Sequence, residues 1–343
     1  MSQHDMTVDN GAGVAVRADI NLALKALASQ SSGASAPSPT FPAQVWADTG
    51  TGRLKQRNAA NSAWVDKGPI DGPMAPLDSP VFTTLVQVPN AATANQAVAF
   101  GQVSGVVGQA RNARLYQSTA SSTATFTADE VVVETALGGL RYCLSSVNKT
   151  INLATTGAGG MDTGTAPVSG FVGIYAVYNP STATAALLAV NANAAVGHVY
   201  GGANMPSGYI ASGLIAVLPT NASSQFLPVL LRDRRVSFSP RTAISTNTMA
   251  GTPTALSVSG SIPANAISVG GSFGLTSTVA SNLSTTISED ATNTLAGAQF
   301  ALNGLTLVST FEIDVTVAQF IYYQCVSSAG TPTYNINTTS YRF

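Results

Sequence analysis

The chain has 343 residues, a net charge of −1 and only 9% charged residues, against roughly a quarter in ordinary soluble domains. Lys and Arg are not clustered as a phosphate backbone requires, so nucleic acid is not an expected partner; two cysteines are too few for a disulfide scaffold. Apolar runs such as Phe171 to Tyr178 and Leu227 to Leu231 stay far short of the roughly 20 residues of a spanning helix, so no membrane insertion is expected.

The first zone, residues 1–68, carries the helix signals. "MSQHDMTVDN" has neither a basic region nor an apolar block, so the chain is expected to be made in a cytoplasm without a secretory signal. Ile20, Leu24 and Leu27 follow i, i+4, i+7 spacing with Ala23 beside them, which predicts a helix over about 17–30 that stops near Gly33. So narrow an apolar stripe suits contact with a partner or a copy, or a short helix laid on a small sheet. Next, Val45 and Trp46, a turn at Asp48 to Gly52, polar "RLKQRN", a turn at "NAANSA" and Trp64 with Val65 predict a β meander over about 43–67 anchored by two tryptophans.

"QVWADTGTGRLKQRNAANSAWVDKG" resembles a module near the N-terminus of many tailed-phage tail fibres and related virion proteins. The resemblance implies attachment to a phage tail or baseplate, with Leu24, Leu27, Trp46 and Trp64 as attachment candidates.

Residues 69–108 form the second zone. Pro76, Pro80 and Pro89 forbid a long helix and remove backbone donors, while Phe82, Leu85, Val88 and Val98 are apolar groups that one narrow chain cannot bury. "PLDSPVFTTLVQVPNAATANQAVAF" resembles the short repeat of phage fibre shafts. Three chains sharing one axis would bury these residues, and a homotrimeric, intertwined neck is the expected reading; an ordinary linker is the alternative.

From about residue 109 the chain consists of short β-type runs between Gly, Asn, Pro and Ser turns, the pattern of sandwiches or barrels. Strands are predicted around Thr123 to Phe126, Asp129 to Glu134 and Leu140 to Leu144. A hairpin follows, in which Phe171 to Val177, apolar on both faces, should be a central strand before a turn at "NPST". "RDRR" (Arg232 to Arg235) reads as a solvated turn between domains, with a phosphate site as the rival. It divides two expected β-sandwich domains, 109–235 and 236–343, the second with roughly seven short strands. "TFTADEVVVETALGGLRYCL" and "GGMDTGTAPVSGFVGIYAVYNP" also resemble a domain common in phage tail proteins, which implies no particular activity.

Candidates for chemistry are few. His4 and His198 are the only histidines, and His198 reads as a surface or capping residue. Glu312 and Asp314 share one strand face at i, i+2: edge-strand charges against misassembly, or a cation or acid/base pair. The "TTGAGGMDTGTAP" stretch lacks a phosphate-loop ending and reads as a surface loop, with a calcium or sugar site at Asp162 as the alternative. Cys143 and Cys325 are expected as buried free thiols, and no zinc spacing exists. No catalytic residue, metal or cofactor is therefore expected. Tyr334, Asn335 and Tyr341, with Asn337, suit adaptable recognition of a protein or glycan surface; the alternative is that they belong to the last β-ladder.

The expected fold class is mainly β: a short helix and meander, a trimeric neck and two β-sandwich domains. The expected function is a phage tail fibre or receptor-binding protein of the virion that binds a bacterial surface receptor multivalently. The rivals are a baseplate or tail-tip component without host contact, and a polysaccharide depolymerase, which the poverty of acids and histidines disfavours.

Overall fold

The computed structural model describes residues 3–71, 105–295 and 297–343, in two units that divide within the undescribed stretch between residues 71 and 105. The expected neck residues Phe82, Leu85, Val88 and Val98 lie outside the described residues.

In the first unit helix α1 spans Gly13–Ala28, four residues earlier than expected at its start. Ala and Leu favour the helix throughout, Lys25 in the last turn complements its dipole, and positive φ at Gln30 and Ser31 ends it. Strands β1 (Val45–Asp48), β2 (Arg53–Arg57) and β3 (Trp64–Pro69) form an antiparallel sheet in the order β1-β2-β3, the meander that the turn residues predicted. The chain after the helix is stitched to β1 by Ala47 N–H to Gln30 O at 3.0 Å and Gly33 N–H to Ala47 O at 3.1 Å.

Among the described residues the second unit is a network of fourteen strands: β4 (Ala110–Arg111), β5 (Arg114–Gln117), β6 (Thr123–Glu134), β7 (Arg141–Asn152), β8 (Phe171–Asn179), β9 (Thr184–Asn191), β10 (Ala211–Pro219), β11 (Val229–Arg232), β12 (Arg235–Thr246), β13 (Ala250–Ser257), β14 (Ser268–Ser288), β15 (Ala298–Asp314), β16 (Phe320–Ser327) and β17 (Pro332–Arg342). As the two-sided apolar pattern predicted, β8 is central, antiparallel to β9 on one side and β10 on the other. The two strands expected at 123–126 and 129–134 are one strand, β6.

Instead of seven short strands, the last hundred residues hold two long ones, β14 with 21 residues and β15 with 17. Along one edge β14 pairs with β15; along the other its first half pairs with β17 and its second half with β16. The ladder is interrupted between Thr276 and Ser281, where β14 changes partner. The two halves meet in the interior: Tyr323 of β16 stacks on Tyr334 of β17 with ring centroids 5.6 Å apart, and the Thr285 and Tyr334 hydroxyls are 2.8 Å apart.

The boundary expected at 235/236 is a tight turn within the sheet. Asp233 and Arg234 connect β11 to β12, which pair directly, and β11 also pairs with β5 and β12 with β17. Arg234 is not solvated as expected: it is half-buried, its Nε donates to the Phe343 carbonyl oxygen at 2.6 Å and its guanidinium lies 4.5 Å from the centre of the Phe343 ring. One apolar cluster runs from Leu115 and Phe126 through Val217 to Phe273, Ile336 and Tyr341, so residues on both sides of the turn share a core.

Candidate functional site

Strand alternation builds a shallow trough on the second unit. Along β14 Val269, Phe273 and Leu275 point into the core, so Gly270, Ser272, Gly274 and Thr276 face the other way. Register sets Asn335 and Asn337 of β17 on one side of them, and Val308 and Thr310 of β15 on the other. Two neighbouring hollows result, of about 450 and 360 Å³; Ser272, Gly274, Thr276, Val308 and Asn335 line the larger, and Thr310 lines both.

Glycine at position 274 keeps the floor open. A Cβ there would stand 3.2 Å from Asn335 Oδ1 and 3.5 Å from Val308 Cγ1, so any side chain would occupy the space between the flanking strands. The larger hollow is lined by hydroxyl residues, Gly274, the amide of Asn335, Val308 and Phe273, with no charged residue. At the other end, Arg342 Nε lies 3.5 Å from Glu312 Oε1 and Arg235 Nη2 donates to Ser340 Oγ at 3.1 Å. Glu312 is thus engaged with arginine rather than with Asp314. Neutral donors and acceptors beside small apolar patches suit non-covalent contact with a polar, uncharged surface.

The residues expected to contact a receptor divide by strand parity. Tyr334 and Tyr341 are 0% and 1% exposed, which corrects their assignment: both are core residues. The Tyr341 hydroxyl donates to Val217 O at 2.6 Å, and burial raises the pKa of both phenols. Asn335, one residue from Tyr334, emerges in the trough. Sequence reasoning missed Ser272, Gly274, Val308 and Thr310, although "ISVGGSFGLTSTV" carries the signal, large apolar side chains alternating with glycine and hydroxyl residues.

On the first unit, Leu24 and Leu27 are 56% and 64% exposed, whereas Val16, Asp19, Ala23 and Ala26 form the less exposed side of α1. Trp46 is buried, donates Nε1–H to Gly33 O at 3.0 Å, and meets Trp64 edge to face at 5.3 Å. Its role is to hold the meander together, not to present a face, and this corrects its assignment as an attachment contact. Lys55 and Arg57 lie over the Trp46 and Trp64 rings at 4.9 and 5.2 Å. Beside the helix end, Met6, Leu27, Phe41 and Val45 contribute to a mostly apolar hollow of about 410 Å³; Met6 and Phe41 were not anticipated.

The remaining candidates lie outside the trough. Asp162 accepts a hydrogen bond from the Tyr200 hydroxyl at 2.9 Å and from the Thr163 N–H at 2.7 Å. His198 is exposed. Cys143 is exposed on β7, not buried as expected, because Leu144 and Val147 take the inward positions; desolvation and the neighbouring Glu130 raise its thiol pKa. Cys325 is buried and free. Among the described residues no group of three His, Cys, Asp or Glu side chains converges as metal ligands, and no helix is long and apolar enough to cross a membrane.

No protein-family model matches the chain, and no curated protein matches it. Among solved structures, the mosquito-larvicidal Cry4Aa toxin from Bacillus thuringiensis is similar with a TM-score of 0.18 and 8% identity, over 68% of this chain and 53% of the toxin chain. A likeness of that size carries no argument about fold or activity.

Proposed function

We propose that the chain is a structural subunit of a tailed-phage virion, a tail fibre or receptor-binding protein that docks through its first unit and adheres to a host surface through its second. The observation that carries the adhesive part is the uncharged larger hollow of the trough over Ser272, Gly274 and Thr276, with Asn335 on its wall. Hydroxyl and amide groups on a rigid sheet bind neutral glycans or peptide surfaces weakly, and several copies per particle convert weak sites into firm attachment. The docking part is supported by the exposed Leu24 and Leu27 beside the apolar hollow, and by the resemblance of residues 44–68 to fibre attachment modules. The reading includes a homotrimeric assembly, which the resemblance of the sequence over residues 69–108 to fibre-shaft repeats implies.

The test uses the labelled full-length protein on susceptible and resistant cells. Susceptible cells should bind it selectively, and Ser272→Trp, which fills the trough from an outward position, should weaken binding about tenfold or more, a loss of at least about 1.4 kcal/mol, while the melting temperature stays unchanged. Equal binding to both cell types, or an unaffected variant, would leave a tail-tip component without host contact as the better reading.

A further inference from the structure

Among the described residues β15 pairs only with β14. Its other edge therefore presents the backbone N–H and C=O groups of a 17-residue strand, a row roughly 58 Å long at about 3.4 Å per residue. Three large apolar side chains stand exposed on it: Leu302 at 48%, Leu305 at 54% and Val308 at 66%.

Sheet proteins normally guard such an edge with Lys, Pro, shortness or a covering loop. Among the described residues the other edge strands of this unit are guarded in these ways, and β4 is only 2 residues long. On β7 stand Arg141 and Lys149, and on β13 stands Pro253. The loop before β8 covers β9: Gly159 N–H donates to Leu187 O, Ala189 N–H to Gly160 O and Asp162 N–H to Ala189 O, at 2.7 to 2.8 Å. Strand β15 has no Lys, Arg or Pro, and its only charges, Glu312 and Asp314, lie at one end.

We propose that the β15 edge is a subunit interface, extending its sheet by pairing with a strand edge of a second copy of this chain. The inference rests on the multi-chain reading above and adds a location to it. What occupies such an edge must itself be a strand, since only a backbone supplies donors and acceptors at this repeat. A second copy fits better than a foreign peptide, because ordering 17 residues of free chain costs ~1–2 kcal/mol each, whereas a folded copy offers an edge already extended. An edge ~58 Å long and about 10–12 Å thick covers about 600–700 Å² per partner, close to the ~800 Å² of a stable interface.

The test is hydrogen exchange across residues 298–314 in the full-length protein, with the mass of the same sample taken by light scattering. The outward amides of β15 should exchange slowly at a mass that is a multiple of 34.8 kDa, and should speed up at least about tenfold in a Leu305→Lys, Val308→Lys double variant. Rapid exchange in the wild-type protein at a three-chain mass would refute the edge while leaving a trimer held elsewhere; a single-chain mass would refute both. Slow exchange that the lysines do not change would mean that the chain covers its own edge, and would also overturn the proposal. Both substituted residues are exposed, and a wild-type dilution series supplies the same discrimination should the variant not fold.

Discussion

Replacing Tyr341 tests whether the fourteen strands melt as one body. Tyr341 sits on β17 between Val236 and Val269, is 1% exposed, and hydrogen-bonds across the core to Val217 of β10 at 2.6 Å. Its ring packs against Phe171 of β8 and Phe238 of β12, with centroids 6.5 and 5.9 Å away. Tyr341→Phe keeps the ring and deletes one donor to a buried carbonyl, a loss of about 1–2 kcal/mol. Tyr341→Ala also empties the ring's volume, for a total of about 4–6 kcal/mol. In a unit of this size each kcal/mol moves the midpoint by about 2–4 °C, so the two variants should melt about 2–8 °C and about 8–24 °C below wild type. Calorimetry with far-ultraviolet circular dichroism is the assay, and the transition for these strands should move as a whole in both variants. If Tyr341→Ala splits it, lowering one component and leaving another at the wild-type midpoint, residues 109–235 and 236–343 are separate domains and the shared-core argument fails.

Two further outcomes concern the first unit, which contains both tryptophans of the chain, so that their fluorescence reports on it alone. The Lys55 ammonium at 2.7 Å and the Thr51 hydroxyl at 2.7 Å hold the Asp48 carboxyl at about 2, below its ordinary 3.8. A depressed carboxyl stabilises fully above the unfolded value and loses that contribution as pH falls through the folded one. The fluorescence midpoint should therefore hold steady down to about pH 4.5 and then fall toward pH 2, with a visibly shallower fall in Asp48→Asn; identical profiles for variant and wild type would remove Asp48 as a keystone of the β1–β2 turn. Leu24→Glu with Leu27→Glu should change stability by less than about 0.5 kcal/mol, as exposed positions do, yet reduce incorporation of the protein into particles; normal incorporation would count against docking through α1.

The legible parts of this chain were those where one local rule governs a whole element. Turns at Asp48 to Gly52 and Asn58 to Ala63 bound the meander, and the two-sided apolar run Phe171 to Val177 marked a central strand because only a strand buried on both faces is written that way. Helix α1 was placed correctly, but its start was late: Ala12 at the N-cap makes no side-chain cap, so nothing in the sequence marked the boundary. The division at Arg232 to Arg235 failed for a different reason. Four charged residues in an otherwise uncharged region look like a linker, but Arg234 turns inward onto Leu214 O and onto Phe343, the latter over a hundred residues away in sequence.

Parity explains the mixed fate of the proposed recognition residues. "TYNINTTSYRF" was read as a group rich in Tyr and Asn, yet a strand cannot show neighbouring residues on the same face. Tyr334 and Ile336 belong together inside, as do Asn335 and Asn337 outside, and the extra residue at the Gly270–Gly271 irregularity returns Tyr341 to the inner face. Once the inner row is fixed by its aromatic and aliphatic side chains, the outer row follows on every paired strand: Ser245 and Thr242 of β12, Asn335 and Asn337 of β17, Ser272 and Gly274 of β14, Thr310 and Val308 of β15. The trough is thus a consequence of register. A one-residue slip of β14 would turn Phe273 and Leu275 outward and bury Ser272 and Thr276, so the packing of the core is also what holds the trough residues in place.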